Sequence, residues 1–227
     1  MSQTLETDQA LLLADLSGYT ALTETHGALQ ASEIVLRFGA LVDASLEPGV
    51  AVVDRVGDEV LCAAADTLAI VRSALRLRGM VLSEPEFPAV RAAIHRGPVL
   101  ARDGKLFGAP LNLTARIANQ ARGGQILCTE PVARAAPQIA GLDARSLGTQ
   151  RFKNVASPVA LFELISARES APATAIDPVC RMQVPAGRAA ATIAFGAKTY
   201  RFCSQACARV FSDAPERFVA TGQPESR

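Results

Sequence analysis

The chain has no tryptophan, only 5% aromatic residues, and almost no net charge, with Lys+Arg 23 against Asp+Glu 22. Each shortage excludes something. A balanced charge gives no broad basic footprint for nucleic acid, and scarce aromatics leave few platforms for stacked bases. No apolar run approaches the roughly 18 residues that a membrane-crossing helix needs. Glu6 and Asp8 stand where a secretory leader would carry positive charge, so the expectation is a cytoplasmic protein with neither membrane nor nucleic acid as partner. What is plentiful is apolar. At 227 residues and 49% hydrophobic content, the chain can bury the core of one large domain, or of one domain with a small appendage.

The cysteines fall into two groups. Cys62 and Cys128 sit alone in apolar runs, whereas Cys180, Cys203 and Cys207 gather near the end. In a reducing compartment such a cluster points to metal or redox chemistry before disulfides.

Residues 11–20, Leu-Leu-Leu-Ala-Asp-Leu-Ser-Gly-Tyr-Thr, read as a buried strand that delivers Asp15 to a small turn. Ser17 and Gly18 offer an N-cap and a tight turn into a helix through Ala21, Leu22 and Thr25. The N–H groups of such a turn, over Ser17, Gly18, Tyr19 and Thr20, attract phosphate, and a carboxylate beside them can hold a divalent cation. A core-packing helix over residues 29–46 follows, with Ile34, Val35, Phe38, Leu41, Val42 and Leu46 at helical spacing, closed by Pro48-Gly49. Two strands, residues 50–56 and 59–64, are separated by Gly57-Asp58 alone, a hairpin with Asp58 at its tip. Strand alternation puts Asp54 on one face with Val52 and Val56, which suits a pocket wall.

Further along, residues 66–81 form an amphipathic helix and residues 89–100 a strand containing His95. A lone His in a strand is commonly structural, and His26 is read in the same way. Residues 104–110, which include Lys105, lead into a helix with Pro110 in its first turn. Asn112 and Arg116 share one face of it, an amide for a hydroxyl and a guanidinium for phosphate oxygens. Residues 125–129 are a short strand, and a final hairpin over residues 146–164 carries Arg151-Phe152-Lys153-Asn154 between its strands. Helices alternating with hairpin strands indicate an α+β sandwich. Residues 166–175 lack an apolar period and read as a linker.

The set Asp15-Leu16-Ser17-Gly18-Tyr19-Thr20, Val56-Gly57-Asp58, Phe107-Gly108 and Asn112-x-x-x-Arg116 resembles, in order and spacing, the class III adenylate/guanylate cyclase catalytic domain over roughly residues 9–165. The resemblance implies a ferredoxin-like α+β domain that works as a head-to-tail homodimer on a nucleoside triphosphate. By position it makes Asp15 and Asp58 the holders of two Mg²⁺ or Mn²⁺ ions. Asn112 becomes the ribose-orienting residue, Arg116 the one that stabilises charge on phosphorus, and Lys153 the holder of the terminal phosphates. In the dimer Asn112 and Arg116 would face the acids of the other chain. At the two base-recognition positions this chain has Asp54 and Lys105, the reverse of the Lys and Asp usual in adenylyl enzymes. An Asp and Lys pair can serve guanine or adenine, and the exchange also fits a domain that binds without turnover.

The final stretch, with Asp177-Pro178-Val179-Cys180, then Tyr200, Cys203, Cys207, Phe211 and Phe218, has the spacing C-x22-C-x3-C. It resembles the YHS/TRASH-type metal-associated module. Three thiolates suit Zn²⁺ or Cu⁺, with water, Asp177 or an open position as the fourth ligand. A segment this small gains from a metal staple. The expected layout is residues 1–165 for the cyclase-like domain, 166–176 for a linker, and 177–222 for a small module of hairpin and helix that senses a metal.

Overall fold

The computed structural model describes residues 5–84, 86–166, 174–185 and 187–219. Most of the expected linker, residues 167–173, and the end of the expected second module, residues 220–222, lie outside the described residues.

An eight-stranded mixed sheet forms the centre. Its strands are β1 (Leu5–Leu16), β2 (Ala51–Val56), β3 (Glu59–Ala64), β4 (Val90–Arg102), β5 (Lys105–Phe107), β6 (Ile126–Thr129), β7 (Leu142–Gln150) and β8 (Val159–Ser166). They run in the order β2-β3-β1-β4-β6-β8-β7, and β5 folds back on β4. Only β4 and β6 pair in parallel; the other neighbours are antiparallel hairpins and crossovers. The α+β expectation holds.

Alternation along β1 builds the two layers. Leu12, Ala14 and Leu16 point to one face and meet α1 (Tyr19–Ser45), α2 (Thr67–Ser83) and α4 (Glu130–Ala135) through Phe38, Ile70, Leu77 and Val132. Leu13 points the other way and meets Ile117 of α3 (Ala109–Ala118), together with Ala93, Leu127 and Leu161. Asp15 shares the Leu13 face. Burying a Leu or Ile fully contributes about 1.5–3 kcal/mol against leaving it in water, so this pattern fixes the register of the central strand.

The two helical segments expected before and after residue 27 are both present, joined in α1 across a kink at Gly27, whose φ of 83° and ψ of 163° are non-helical. The start of α1 differs from the sequence reading. Its N-cap is Gly18 (φ 79°), with no side-chain cap bond, rather than Ser17. The Ser17 backbone N–H donates to Ala89 O at 2.9 Å, which removes it from the phosphate-attracting turn expected over residues 17–20. The second helix obeys its signal, since Asp66 caps α2 by accepting the Leu68 N–H at 2.9 Å.

After the main sheet come β9 (Thr174–Ile176), β10 (Gln183–Pro185), β11 (Ala191–Phe195), β12 (Lys198–Phe202), α5 (Gln205–Asp213) and α6 (Glu216–Val219). β9 lies within the span expected as linker, and it pairs with β10. This small module is packed on the larger one. Val179, Cys180, Met182, Phe202 and Phe211 belong to the same buried cluster as Phe38 and Leu77. Gln183 donates its side-chain amide to Val81 O and Phe87 O, both at 3.1 Å. Among the described residues, no helix is long and apolar enough to cross a membrane.

His95 is structural, as expected. Its Nδ1 lies 2.8 Å from Thr129 Oγ1 across β4 and β6, and burial holds the imidazole below its ordinary pKa. The folded state therefore carries this His neutral while the unfolded chain takes up a proton. Its contribution is intact above the ordinary value and is lost as pH falls toward the depressed one. The melting temperature of the wild type is expected to drop more steeply between pH 7 and 5 than that of His95→Gln; parallel curves would contradict this.

Candidate functional site

The acids come together through strand register. Asp15 sits opposite Glu59 on β3 and opposite Arg91 on β4, so the hairpin tip carrying Asp58 lies next to it. Asp15 is 8% exposed and accepts two bonds from Arg91 on one oxygen, 2.8 Å from Nε and 2.6 Å from an end nitrogen. Burial, and then the hydrogen bond and charge of Asp15, push the Asp58 carboxyl up to about 7. Two carboxylates this close repel when both are ionised, which is the condition a divalent cation relieves. All-oxygen ligands of this kind suit a hard ion such as Mg²⁺ or Mn²⁺. Sequence reasoning missed Arg91. Its signal was an Arg at the start of β4, beside the apolar Ala92-Ala93-Ile94 and opposite Asp15 on β1.

A second group of predicted residues meets in a cavity of about 190 Å³, lined by Leu13, Asp54, Val56, Glu59, Leu61, Leu111, Asn112 and Ala115. Asp54 reaches it by a route the sequence did not foresee. A β-bulge between Val52 and Asp54 shifts the register of β2 on β3. Val52 consequently packs into the core on the α1 side, while Val53 joins Leu11 and Val99 on the α3 side. Asp54 therefore does not share a face with Val52; Val56 is its neighbour in the cavity. Lys105, Arg116 and Lys153 do not line this cavity. Lys105 is exposed at the start of β5, Arg116 is half-buried one turn beyond Asn112 on α3, and Lys153 is exposed in the turn between β7 and β8.

The turn after Asp15 is held from outside the main sheet. A Cβ on Gly18 would lie 2.3 Å from Arg181 Cγ, so the Arg181 side chain of the small module rests directly on this turn. The positive φ and the close approach both demand glycine there. Tyr19 packs against the core and Thr20 is exposed on the first turn of α1. Beside them a cleft of about 650 Å³ separates the two modules, with Ser17, Arg91, Arg122, Arg145 and Arg181 in its walls.

The three expected cysteines converge. Cys180 Sγ lies 3.3 Å from Cys203 Sγ, which lies 3.8 Å from Cys207 Sγ. All three are free thiols. The helix begins as expected, with Ser204 capping α5 by accepting the Cys207 N–H at 3.1 Å. Hydrogen bonds from Cys180 and then Cys203 hold the Cys207 thiol well below its usual range, while its bond to Cys203 pushes Cys180 up. Asp177, one of the options for a fourth ligand, stands outside the cluster of candidate ligands: its fully buried carboxylate accepts the N–H groups of Val179 (2.8 Å), Cys180 (3.4 Å) and Cys203 (2.8 Å). And His26, expected to be structural with no His near the thiols, has its Nε2 3.5 Å from Cys203 Sγ and 3.6 Å from Cys207 Sγ. The four ligand atoms of His26, Cys180, Cys203 and Cys207 lie within 4.8 Å of one another.

Comparison with known proteins finds relatives for both parts of the chain. The YHS domain family matches residues 175–221. Over 154 residues the chain is 29% identical to the pH-sensitive adenylate cyclase MT1302 of Mycobacterium tuberculosis, covering 66% of this chain and 39% of that protein. The uncharacterized protein Rv2212 of the same species is 34% identical over 152 residues, with the same two coverages. An adenylate cyclase of Streptomyces griseus is 35% identical over 115 residues, 50% of this chain and 29% of the relative. The chain thus spans about two fifths or less of the length of these relatives. Among solved structures, the adenylyl cyclase CyaB from P. aeruginosa superimposes with a TM-score of 0.64 at 17% identity, over 74% of this chain and 99% of that one. The guanylyl cyclase Cya2 gives a TM-score of 0.63 at 19% identity, over 75% and 97%. Residues 175–221 are a YHS domain, and the α+β sandwich that precedes it carries the fold of the class III adenylate/guanylate cyclase catalytic domain.

Proposed function

We propose that the chain is a class III nucleotidyl cyclase that converts ATP to 3′,5′-cyclic AMP and pyrophosphate at a site shared by two copies. The observation that carries this reading is the contact between Asp15 and Asp58, two partly buried carboxyls held together with the second pushed up to about 7. Such crowding is costly without a cation and useful with one. Mg²⁺ or Mn²⁺ on these acids would supply Lewis acidity toward the 3′-hydroxyl and the α-phosphate.

The chain's own residues do the rest. The ribose 3′-hydroxyl gives up its proton to water as its oxygen attacks the α-phosphorus, the bond to the bridging oxygen of the β-phosphate breaks, and pyrophosphate leaves with that electron pair. Asn112 orients the ribose by its amide. Arg116 stabilises the charge that builds on the phosphoryl oxygens, and Lys153 holds the departing phosphates. The backbone of Gly18, Tyr19 and Thr20, at the N-terminus of α1, favours phosphate at its positive end, while the Ser17 N–H is already bonded to Ala89 O. Asp54 and Lys105 recognise the base. With adenine, Asp54 accepts the N6–H and Lys105 donates to N1.

A second copy is needed because the cavity that holds Asp54 and Asn112 is only part of a nucleotide pocket. A cavity of about 190 Å³ is smaller than the roughly 300–1,000 Å³ of sites that enclose a small ligand. Val56 and Phe107, 66% and 49% exposed, lie on β2 and β5 with Asp54 and Lys105, as apolar surface for the second copy to cover. The names of the relatives from Mycobacterium tuberculosis and Streptomyces griseus favour ATP over GTP. The Arg181 contact with the Gly18 turn gives the YHS domain a route to the site, so we read it as a regulatory element that responds to Zn²⁺ or Cu⁺.

Purified full-length chain with Mn²⁺ is expected to form cyclic AMP from ATP faster than cyclic GMP from GTP. Faster cyclic GMP formation would reverse the base assignment. Absence of both products would leave a cyclase-like dimerisation or nucleotide-binding domain with a metal-sensing tail, and would overturn the proposal. Equal rates with and without Zn²⁺ or Cu⁺ would remove the regulatory part alone.

A further inference from the structure

We propose that His26, on the first helix of the cyclase-fold domain, is the fourth ligand of a Cys₃His metal site with Cys180, Cys203 and Cys207, so that a soft ion clasps the YHS domain to its neighbour. This goes beyond a metal held by the YHS cysteines alone. It depends on the fold and not on the cyclase reading.

Geometry is the first support. A tetrahedral Zn²⁺ with bonds of about 2.3 Å to sulfur and about 2.0 Å to nitrogen sets its ligand atoms roughly 3.5–3.8 Å apart. The Cys203-to-Cys207 distance of 3.8 Å and the nitrogen-to-sulfur distances of 3.5 and 3.6 Å match those edges, the Cys180-to-Cys203 distance of 3.3 Å is shorter than one, and all four ligand atoms lie within 4.8 Å of one another. A set of three thiols and an imidazole suits Zn²⁺ or Cu⁺ and is poor for Mg²⁺ or Ca²⁺.

The surroundings are the second support. Asp177, fully buried, fixes the backbone of Cys180 and Cys203 together by accepting both N–H groups. Outer contacts of this kind orient metal ligands. On the other side, the kink of α1 at Gly27 directly follows His26. A Cβ on Gly27 would meet nothing within 4 Å, so its positive φ of 83° serves the chain path and not a close approach. That path leaves the His26 imidazole facing the thiols of a module more than a hundred residues later.

The clasp has a consequence for position. Arg181, next to the ligand Cys180, lies over Gly18 on the turn that follows Asp15, and His26 stands two turns along the helix that begins there. The ion would therefore fix both ends of the first segment of α1 against the YHS domain.

The test uses reduced, metal-free full-length protein titrated with Co²⁺ as a visible probe and then with Zn²⁺ in competition. Wild type is expected to take up one equivalent, with the intense visible bands of a tetrahedral ion and sulfur-to-metal charge transfer. His26→Ala should bind about 100-fold more weakly or worse, since loss of an outer contact alone costs about 10–100-fold, and its cobalt bands should weaken as water enters. His26→Cys, with a thiolate in the same place, should restore tetrahedral bands with stronger charge transfer. It also covers the case in which His26→Ala fails to fold. Unchanged affinity and spectrum in His26→Ala, a His26→Cys spectrum identical to wild type, or no cobalt uptake by wild type would each overturn the proposal. None of these readouts requires turnover, so they hold equally for an enzyme that forms no product.

Discussion

Asp15→Asn and Arg116→Ala are each expected to reduce cyclic-nucleotide formation by on the order of 10³-fold, and an equimolar mixture of the two inactive chains is expected to recover activity. Both effects follow from where the residues stand. Asp15 and Asp58 touch each other on the β1 and β3 side, while Asn112 and Arg116 ride on α3 and Asn112 faces Asp54. If the acids of one copy work with the α3 residues of the other, a mixed dimer contains one doubly damaged site and one intact site. Random pairing makes half the dimers mixed, so about a quarter of wild-type activity should return. Asn is chosen at position 15 because it still accepts a hydrogen bond from Arg91 and so avoids stranding that guanidinium. Recovery near zero, with dimers shown to exchange, would mean that both sets act within one chain.

Phe211→Ala is expected to unfold the YHS domain while leaving the central sheet intact. Phe211 is fully buried, and its ring meets four others: Tyr200 at 5.0 Å, Phe202 at 5.1 Å, Phe218 at 6.0 Å and Phe195 at 6.1 Å between centroids, the last edge-on at 89°. Phe to Ala in such a place costs about 3–5 kcal/mol, which is about all that so small a core supplies. Hydrogen exchange with mass spectrometry is the suitable reading. Amides of β12 and α5 should exchange on the order of 10²–10³ times faster in metal-free Phe211→Ala, and those of β1 should not. Zn²⁺ should recover part of the protection, because an ion that binds only the folded site stabilises it by mass action. Equal acceleration in β1 would show that the two modules unfold as one.

Local features were legible in the sequence and long-range ones were not. The strand ending at Asp15, the Gly57-Asp58 hairpin, the Asp66 cap and the Ser204 start of α5 each rest on a few neighbouring residues whose periodicity or capping chemistry is explicit. The C-x22-C-x3-C spacing was equally explicit, and the three thiols do converge. Register is another matter. The bulge between Val52 and Asp54 arises from how β2 pairs with β3, and no glycine marks it. Ser17 had the residue type of a cap, yet the close approach of Arg181 and the left-handed turn gave that place to Gly18. His26 was beyond reach because nothing local distinguishes it; only the packing of the YHS domain on α1 brings it to the cysteines. Asp177 is the converse case. Its Asp-Pro turn favours an aspartate that caps its own backbone, and in the fold it does so for Val179 and Cys180.

The decisive measurement for the proposed two-chain cyclase site is cyclic AMP formed per chain from ATP and Mn²⁺, followed as protein concentration is raised, beside the mass of the species in solution. The rate per chain is expected to rise with concentration and to level off as dimer becomes the only species. No product at any concentration, or a constant rate from monomer, would contradict a site shared between two copies.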